Sequence, residues 1–367
     1  MNSMKEENAK KPSKRTVAVV FGIVLALVIL IGVGVTVWVN QTLNLINRDT
    51  SVDVTLSDEE IESILQETDP EDETFETLET VETTEETVET EPEIVEVLEE
   101  EDNIVNILLI GQDRREDQPR QRSDTMILCT VNLEEKTLVL TSFLRDSYVK
   151  IPAWEGKKYG NNRLNVCYAI GGMEMLDQCL LDNFGIQVDY NVEVDFFSFA
   201  TVVDLIDGVD VDLTQAEAAH LNHICGLGNS LKAGVNHLDG YLALEYSRIR
   251  KLDSDFVRTD RQRKVILSLM EKVKDMKLLE VNEMITEVFP MITTDMTNTE
   301  ILDVAVKMLP VLSELQVTTQ HIPADGTYYF GQVPGMSAIT FDLEANCQIL
   351  KDTIGEKEFI DVENSVG

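Results

Sequence analysis

The chain has 367 residues and carries 67 Asp and Glu against 30 Lys and Arg, a formal net charge of −37. That balance excludes a protein that tracks a nucleic-acid backbone, because such binding needs a basic surface to displace counterions. The length allows two or three domains and a sizeable core, and an odd count of five cysteines excludes a fully paired disulfide framework. The acidity is concentrated. Residues 51–102 hold 23 acids and no Lys or Arg, so the rest of the chain is only moderately acidic.

Residues 1–16 form a basic tail with Lys5, Lys10, Lys11, Lys14 and Arg15. Val17 to Val39 follows with no charge in 23 positions, long enough as a helix to cross a hydrocarbon core of roughly 30 Å. The basic flank precedes the span, so the positive-inside rule predicts a retained anchor with its N-terminus in the cytoplasm and the remainder outside. Residues 40–102 read as an acidic, low-complexity tether. Its Glu-Thr triplets, such as Glu73-Thr74-Phe75, match neither helix nor strand periodicity, and like charges with little apolar area favour disorder. Within it, Ser57 can cap a short helix to Leu65.

Residues 103–367 read as one extracellular domain. Strands are expected at Ile104–Ile110, Met126–Val131 and Thr137–Phe143, the last two joined by a Glu134-Glu135-Lys136 turn. Val188–Phe196 and Val209–Leu213 should extend the same sheet, and Val317–Ile322 adds a late strand. Helices are expected at Leu164–Asn183, Phe196–Ile206, Leu238–Tyr246, Ser254–Asp275, Val281–Phe289, Thr297–Leu315 and Leu343–Thr353. Strands alternating with helices predict an α/β fold, a layered α-β-α domain around a central mixed sheet. Cys129 and Cys167 lie in apolar stretches and read as core residues.

The domain's charges gather at strand ends, where α/β sheets commonly place ligands. Gly111-Gln112-Asp113-Arg114-Arg115 follows the first strand, Arg122-Ser123-Asp124-Thr125 precedes the second, and Leu144-Arg145-Asp146 follows the third. Arg248 and Arg250, as alternate residues of an extended segment, can converge. Asp255, Arg258 and Gln262 share one face of a helix. Several guanidinium groups bind more than one phosphate, and two carboxylates such as Asp113 and Asp124 can hold Mg²⁺ together with substrate phosphates. The alternative for each Arg–Asp pair is a surface salt bridge.

Taken together, Asn106-Ile107-Leu108-Leu109-Ile110-Gly111-Gln112-Asp113-x-Arg115, Arg122-Ser123-Asp124-Thr125 and Ser142-x-x-Arg145-Asp146 closely resemble the LytR-CpsA-Psr family. The likeness continues through Asn165, Gly171-Gly172, Val203-Asp204, Gly208-Val209, Leu238-x-Gly240-x-x-Ala243-Leu244-x-Tyr246-x-Arg248-x-Arg250 and Asp255-Phe256-x-Arg258-x-x-Arg261-Gln262. It is strong over residues 103–275 and looser beyond. Two positions depart from the family pattern: Leu144 stands where Pro is usual, and Asp207 replaces one Gly of a Gly-Gly pair.

The resemblance implies a membrane-anchored enzyme of the Gram-positive envelope, facing the cell wall. It would take an undecaprenyl-diphosphate-linked glycopolymer (teichoic acid, capsule or similar) and attach it to peptidoglycan through a phosphodiester. By that likeness Asp113 and Asp124 hold magnesium, with manganese as the alternative ion. Arg145, Arg248, Arg250, Arg258 and Gln262 grip the diphosphate, joined by Arg115 and Arg122. Arg145, Asp146 and Asp255 are the catalytic candidates, either acid being a proton acceptor. Phe196, Phe197, Phe199, Ile266 and Leu269 are candidates for a lipid-tail slot, with core packing as the competing explanation. A polyprenyl-diphosphate hydrolase and a non-catalytic envelope binding or regulatory protein are the rival functions. Elsewhere His220 and His223 read as a helix-surface pair rather than a zinc site, Gly226-Leu227-Gly228 as a turn, and Tyr328-Tyr329-Phe330 as core or edge packing.

Overall fold

The computed structural model describes residues 38–49, 54, 56–66, 103–112, 121–250, 252, 255–274, 276, 284–333 and 336–355. The chain divides into two compact units, Met1–Leu45 and Ile46–Gly367. In the first, the described part is a short helix at 38–43, in which Thr42 Oγ1 donates to the Trp38 carbonyl. The expected membrane span at 17–39 otherwise lies outside the described residues. Among the described residues no helix is long and apolar enough to cross a membrane.

The second unit opens with β1 (Asn47–Arg48) and α1 (Asp58–Gln66), then β2 (Ile104–Gln112), β3 (Ser123–Asn132) and β4 (Thr137–Phe143). The β3–β4 hairpin turns where expected. Asn132 Oδ1 accepts from the Glu134 and Glu135 N–H groups, and Lys136 takes a left-handed conformation. A small ribbon of β5 (Tyr148–Lys150) and β6 (Asn161–Arg163) leads into α2 (Val166–Phe184), then β7 (Tyr190–Asp195) and α3 (Phe196–Leu205). Next come β8 (Val209–Leu213), α4 (Gln215–Ile224), β9 (Gly234–Leu238), α5 (Gly240–Ser247) and α6 (Asp255–Lys274). The described chain continues with β10 (Ile292–Thr294), α7 (Asn298–Met308), β11 (Gln316–Ile322), the hairpin β12 (Tyr328–Val333) and β13 (Met336–Phe341), and α8 (Leu343–Ile354).

Seven of these strands form one mixed sheet in the order β1-β10-β7-β2-β3-β4-β11. β2 runs parallel to β7 and antiparallel to β3, and β4 runs parallel to β11. Side chains alternate across a strand, so each central strand feeds two layers. Leu108, Ile110, Met126, Leu128 and Phe143 pack on α2, α8 and Ile61 of α1. Ile127, Val131, Leu138 and Leu140 pack on Ile266, Leu267 and Met270 of α6 and Met308 of α7. This is the expected α-β-α layering. The register carries β2, β4, β7 and β11 to a common end of the sheet, where β3 begins.

Several expectations need correction. Val209–Leu213 does not extend the central sheet. It pairs with Gly234–Leu238 in a separate ribbon, because its alternating Val and Asp suit one buried and one wet face rather than a doubly covered strand. Part of the expected tether, residues 40–102, is ordered: Asn47–Arg48 pairs with β10, and α1 docks on the core. Ser57 caps α1 as expected, Glu60 N–H donating to its Oγ while the Glu60 carboxylate accepts from Ser57 N–H. The helix expected to reach Leu315 ends at Met308, near Pro310, which has no N–H for the next helical bond. Of 281–289, the first three residues lie outside the described set, 284–288 are helical and Phe289–Met291 is a 3₁₀ turn.

One close approach fixes the arginine-bearing half of the domain. α3 and α5 cross at Gly240, whose N–H donates to Asp204 Oδ1 at 2.7 Å. A Cβ at Gly240 would lie 1.9 Å from the Ala200 carbonyl oxygen. No residue but glycine fits, and the crossing sets the helix that delivers Arg248 and Arg250.

Candidate active site

Chain leaves β4 at Phe143 into fully buried Leu144, whose N–H donates to the Ile322 carbonyl at 2.8 Å. A proline there would lack that donor. The bond ties the end of β4 to the end of β11 and presents Arg145, which is 7% exposed. Arg145 Nη1 meets Asp124 Oδ1 at 2.5 Å, Asp124 standing at the start of β3. Arg250 Nη2 approaches the same oxygen at 3.9 Å. Arg258, in the first turn of α6, donates through Nη2 to the Asp124 carbonyl at 3.3 Å and pairs with Asp255 Oδ1 at 2.8 Å.

Three guanidinium groups thus gather at Asp124, two at its carboxylate and Arg258 at its backbone carbonyl. Burial lowers the pKa of Arg258. The Arg145 and Arg250 charges lower it further, while Asp255 and Asp124 oppose them. An added anion would relieve that repulsion. Asp255 Oδ2 and Gln262 Oε1 are buried without a hydrogen-bond partner among the described residues, which leaves polar atoms beside Arg258 for a ligand.

The expected alternation of Arg248 and Arg250 fails for a local reason. Arg248 is the C-cap of α5 with helical φ/ψ, so the segment is not extended. Arg250 reaches Asp124, whereas Arg248 lies over the Phe196 ring at 5.1 Å and 3.9 Å from Glu245. Arg122 also points elsewhere, its Nη2 donating to the Ile64 carbonyl of α1. Asp146 faces Arg145 Nε at 3.5 Å and Arg163 Nη1 at 3.6 Å. Arg163, only 2% exposed, was not foreseen. Its one signal is a charge in the polar Asn161-Asn162-Arg163 run directly ahead of an apolar helix.

Asp113 and Arg115 lie outside the described residues. Just before them, the Gln112 side chain donates to Glu193 Oε1, and the Tyr168 hydroxyl donates to Glu193 Oε2. Glu193 is buried in β7 and was also missed, since strand periodicity reads an acid as solvent-facing. Among the described residues no cluster of three or more His, Cys, Asp or Glu could hold a metal ion. His220 and His223 lie on α4.

The expected lipid-slot residues have different neighbours. Phe196 stacks under Arg248, Phe197 is 79% exposed, Phe199 and Leu269 join the cluster around Val209 and Leu238, and Ile266 packs on the sheet. An open groove of about 690 Å³ lies beside the later turns of α6, lined by Lys264, Leu267, Ser268 and Val317 among others, and includes none of the charged residues above.

The fold and this cluster define a class: a layered α/β protein with an arginine-rich cluster at one end of its sheet. The LytR_cpsA_psr family model matches residues 70–343. The chain belongs to that family. It is 31% identical to the polyisoprenyl-teichoic acid–peptidoglycan teichoic acid transferase TagT of Bacillus subtilis (strain 168), over 61% of this chain and 71% of that protein. Identity to TagU of the same organism is 37%, over 46% of this chain and 51% of that one. Among solved structures, TagT bound to LIIa-WTA superposes with a TM-score of 0.56 at 26% identity, covering 72% of this chain and 92% of that one. YwtF (TagT) with bound octaprenyl pyrophosphate lipid gives 0.53 at 25% identity, covering 72% and 91%.

Proposed function

We propose that this protein is a phosphotransferase that moves an anionic glycopolymer from an undecaprenyl-diphosphate carrier to peptidoglycan through a phosphodiester. The observation that carries this reading is the convergence of Arg145, Arg250 and Arg258 on Asp124 at the sheet end. Three fixed cations gathered at one residue suit a ligand with two phosphates, and the named relatives support the carrier chemistry. We further propose that residues 17–39 anchor the chain in the cell membrane with the catalytic domain outside, facing the wall.

In this reading a muramic acid 6-hydroxyl oxygen attacks the phosphorus bearing the polymer. The bond from that phosphorus to the bridging oxygen breaks, and undecaprenyl phosphate leaves. Arg145, Arg250 and Arg258 hold the non-bridging and leaving oxygens where negative charge develops, in a site already free of reorganisation cost. Asp146, held between Arg145 and Arg163, orients Arg145. Asp255, with one oxygen on Arg258 and the other without a hydrogen bond, is the better placed acceptor for the hydroxyl proton. One or two carboxylates plus substrate phosphates suffice for Mg²⁺, and Asp124 would supply one of them. Asp124 with Asp113 would hold Mg²⁺ or Mn²⁺, which when bound would neutralise phosphate charge.

The test is transfer of a polyprenyl-diphosphate-linked glycopolymer to peptidoglycan by the purified full chain. Arg145→Ala should lower the rate by about 10²–10³-fold, the scale of losing one preorganised charge donor. Attachment that persists undiminished would remove the catalytic assignment, and free polymer without attachment would favour a hydrolase.

A further inference from the structure

Helix α1 lies before the stretch that matches the family model, which begins at residue 70. It is nevertheless bound to the domain in three ways. Ile61 is buried, and Leu56, Ile64 and Leu65 pack on the main core cluster against α2. Asp58 pairs with Lys157 Nζ at the other end of the helix. At its C-terminus the Ile64 carbonyl accepts from Arg122 Nη2, and the Leu65 carbonyl accepts from Asn162 Nδ2 at 3.5 Å.

The positions of those two donors matter. Arg122 is two residues before Asp124, the carboxylate on which the arginines converge. Asn162 is the residue before Arg163, which faces Asp146. Strand β3 begins at Ser123, and β6 ends at Arg163. The end of one helix therefore touches the chain on both sides of the charged site. A helix C-terminus carries partial negative charge from its open carbonyls and favours a guanidinium there. A helix that only covered apolar surface would have no need to spend those carbonyls on the two segments that deliver site charges.

We infer that α1 is a positioning element of the active site, its last carbonyls fixing Arg122 and Asn162 and through them Asp124 and Arg163. The membrane-proximal segment is then part of the diphosphate site, not merely a spacer. This rests on the diphosphate reading above.

The test uses the full chain in detergent and geranylgeranyl diphosphate with Mg²⁺ as the probe. Ile61→Asp should release α1, seen as fast amide exchange over residues 58–66, and weaken probe binding about tenfold, the scale for losing support behind a ligating group. Because that change also touches the core, Asn162→Ala and Asp58→Lys provide milder arms. Each should weaken binding by about two- to fivefold with Tm unchanged. Adding Lys157→Asp to Asp58→Lys should restore binding. Exchange-competent α1 with undiminished probe affinity would overturn the inference, as would unchanged affinity in both milder variants when Ile61→Asp unfolds the whole domain. If the wild-type chain does not bind the probe, the diphosphate reading itself falls and this inference with it.

Discussion

Arg258 and Arg261 sit one turn apart on α6, yet they do opposite things. Arg261 is 1% exposed and satisfied within the chain: Nε pairs with Glu217 Oε1 at 2.7 Å, Nη1 donates to the Ile249 carbonyl at 2.9 Å, and the group lies 6.0 Å from the Tyr246 ring centroid. Burial alone would raise the Glu217 carboxyl, but Thr214 and Arg261 hold it below the usual range. Arg258 is buried as well, but it shares its surroundings with Arg145 and Arg250 around a partly exposed carboxylate. Both arginines belong to the Asp255-Phe256-x-Arg258-x-x-Arg261-Gln262 motif. The structure separates a cation that completes the core from one grouped with two other cations.

The sharpest way to break that contrast is Arg261→Leu. It leaves Glu217 buried without its partner and should cost about 3–5 kcal/mol, read as a large drop in Tm. A stable, active variant would erase the distinction. Next is Gly240→Ala, whose added methyl must push α3 from α5. It should cost about 1–3 kcal/mol and lower transfer activity by displacing Arg250, which thermal melting and rate measurements together would show.

A pH-dependent effect contrasts Glu217 with a half-buried acid, Asp177. Burial, despite a hydrogen bond from Asn191, and the nearby Asp295 and Asp49 charges push Asp177 up to about 8 from its ordinary 3.8. A carboxyl raised in the folded state contributes most stability below its unfolded value and loses it as pH rises through the folded value. Tm should therefore fall between about pH 4 and pH 8, and Asp177→Asn should flatten that fall. An unaltered pH profile would show that Asp177 ionises normally.

Much of this was legible in the chain. The central strands announced themselves by apolar runs bounded by charge, and Asp124, Arg145 and Arg258 by their places at strand ends and on a helix face. What escaped had physical reasons. Val209–Leu213 looks like any strand, and only the distant pairing with β9 removes it from the sheet. The β12–β13 hairpin is hard to read from the sequence although its two short strands flank Pro334-Gly335, because the aromatic run Tyr328-Tyr329-Phe330 suits core packing equally well. Tyr328 does pack, stacked on Phe256 at 4.2 Å. Arg163 and Glu193 were invisible because burial of a charge depends on partners brought from far along the chain. The fate of Arg248 turned on one helical cap.

The central claim is that the sheet-end arginines exist to bind a prenyl diphosphate. Calorimetric titration of geranylgeranyl diphosphate with Mg²⁺ into the wild type and Arg258→Gln tests it most directly. Binding is predicted for the wild type, with a loss of about tenfold or more in the folded variant. Equal affinity in the two proteins, or none in the wild type, would contradict it.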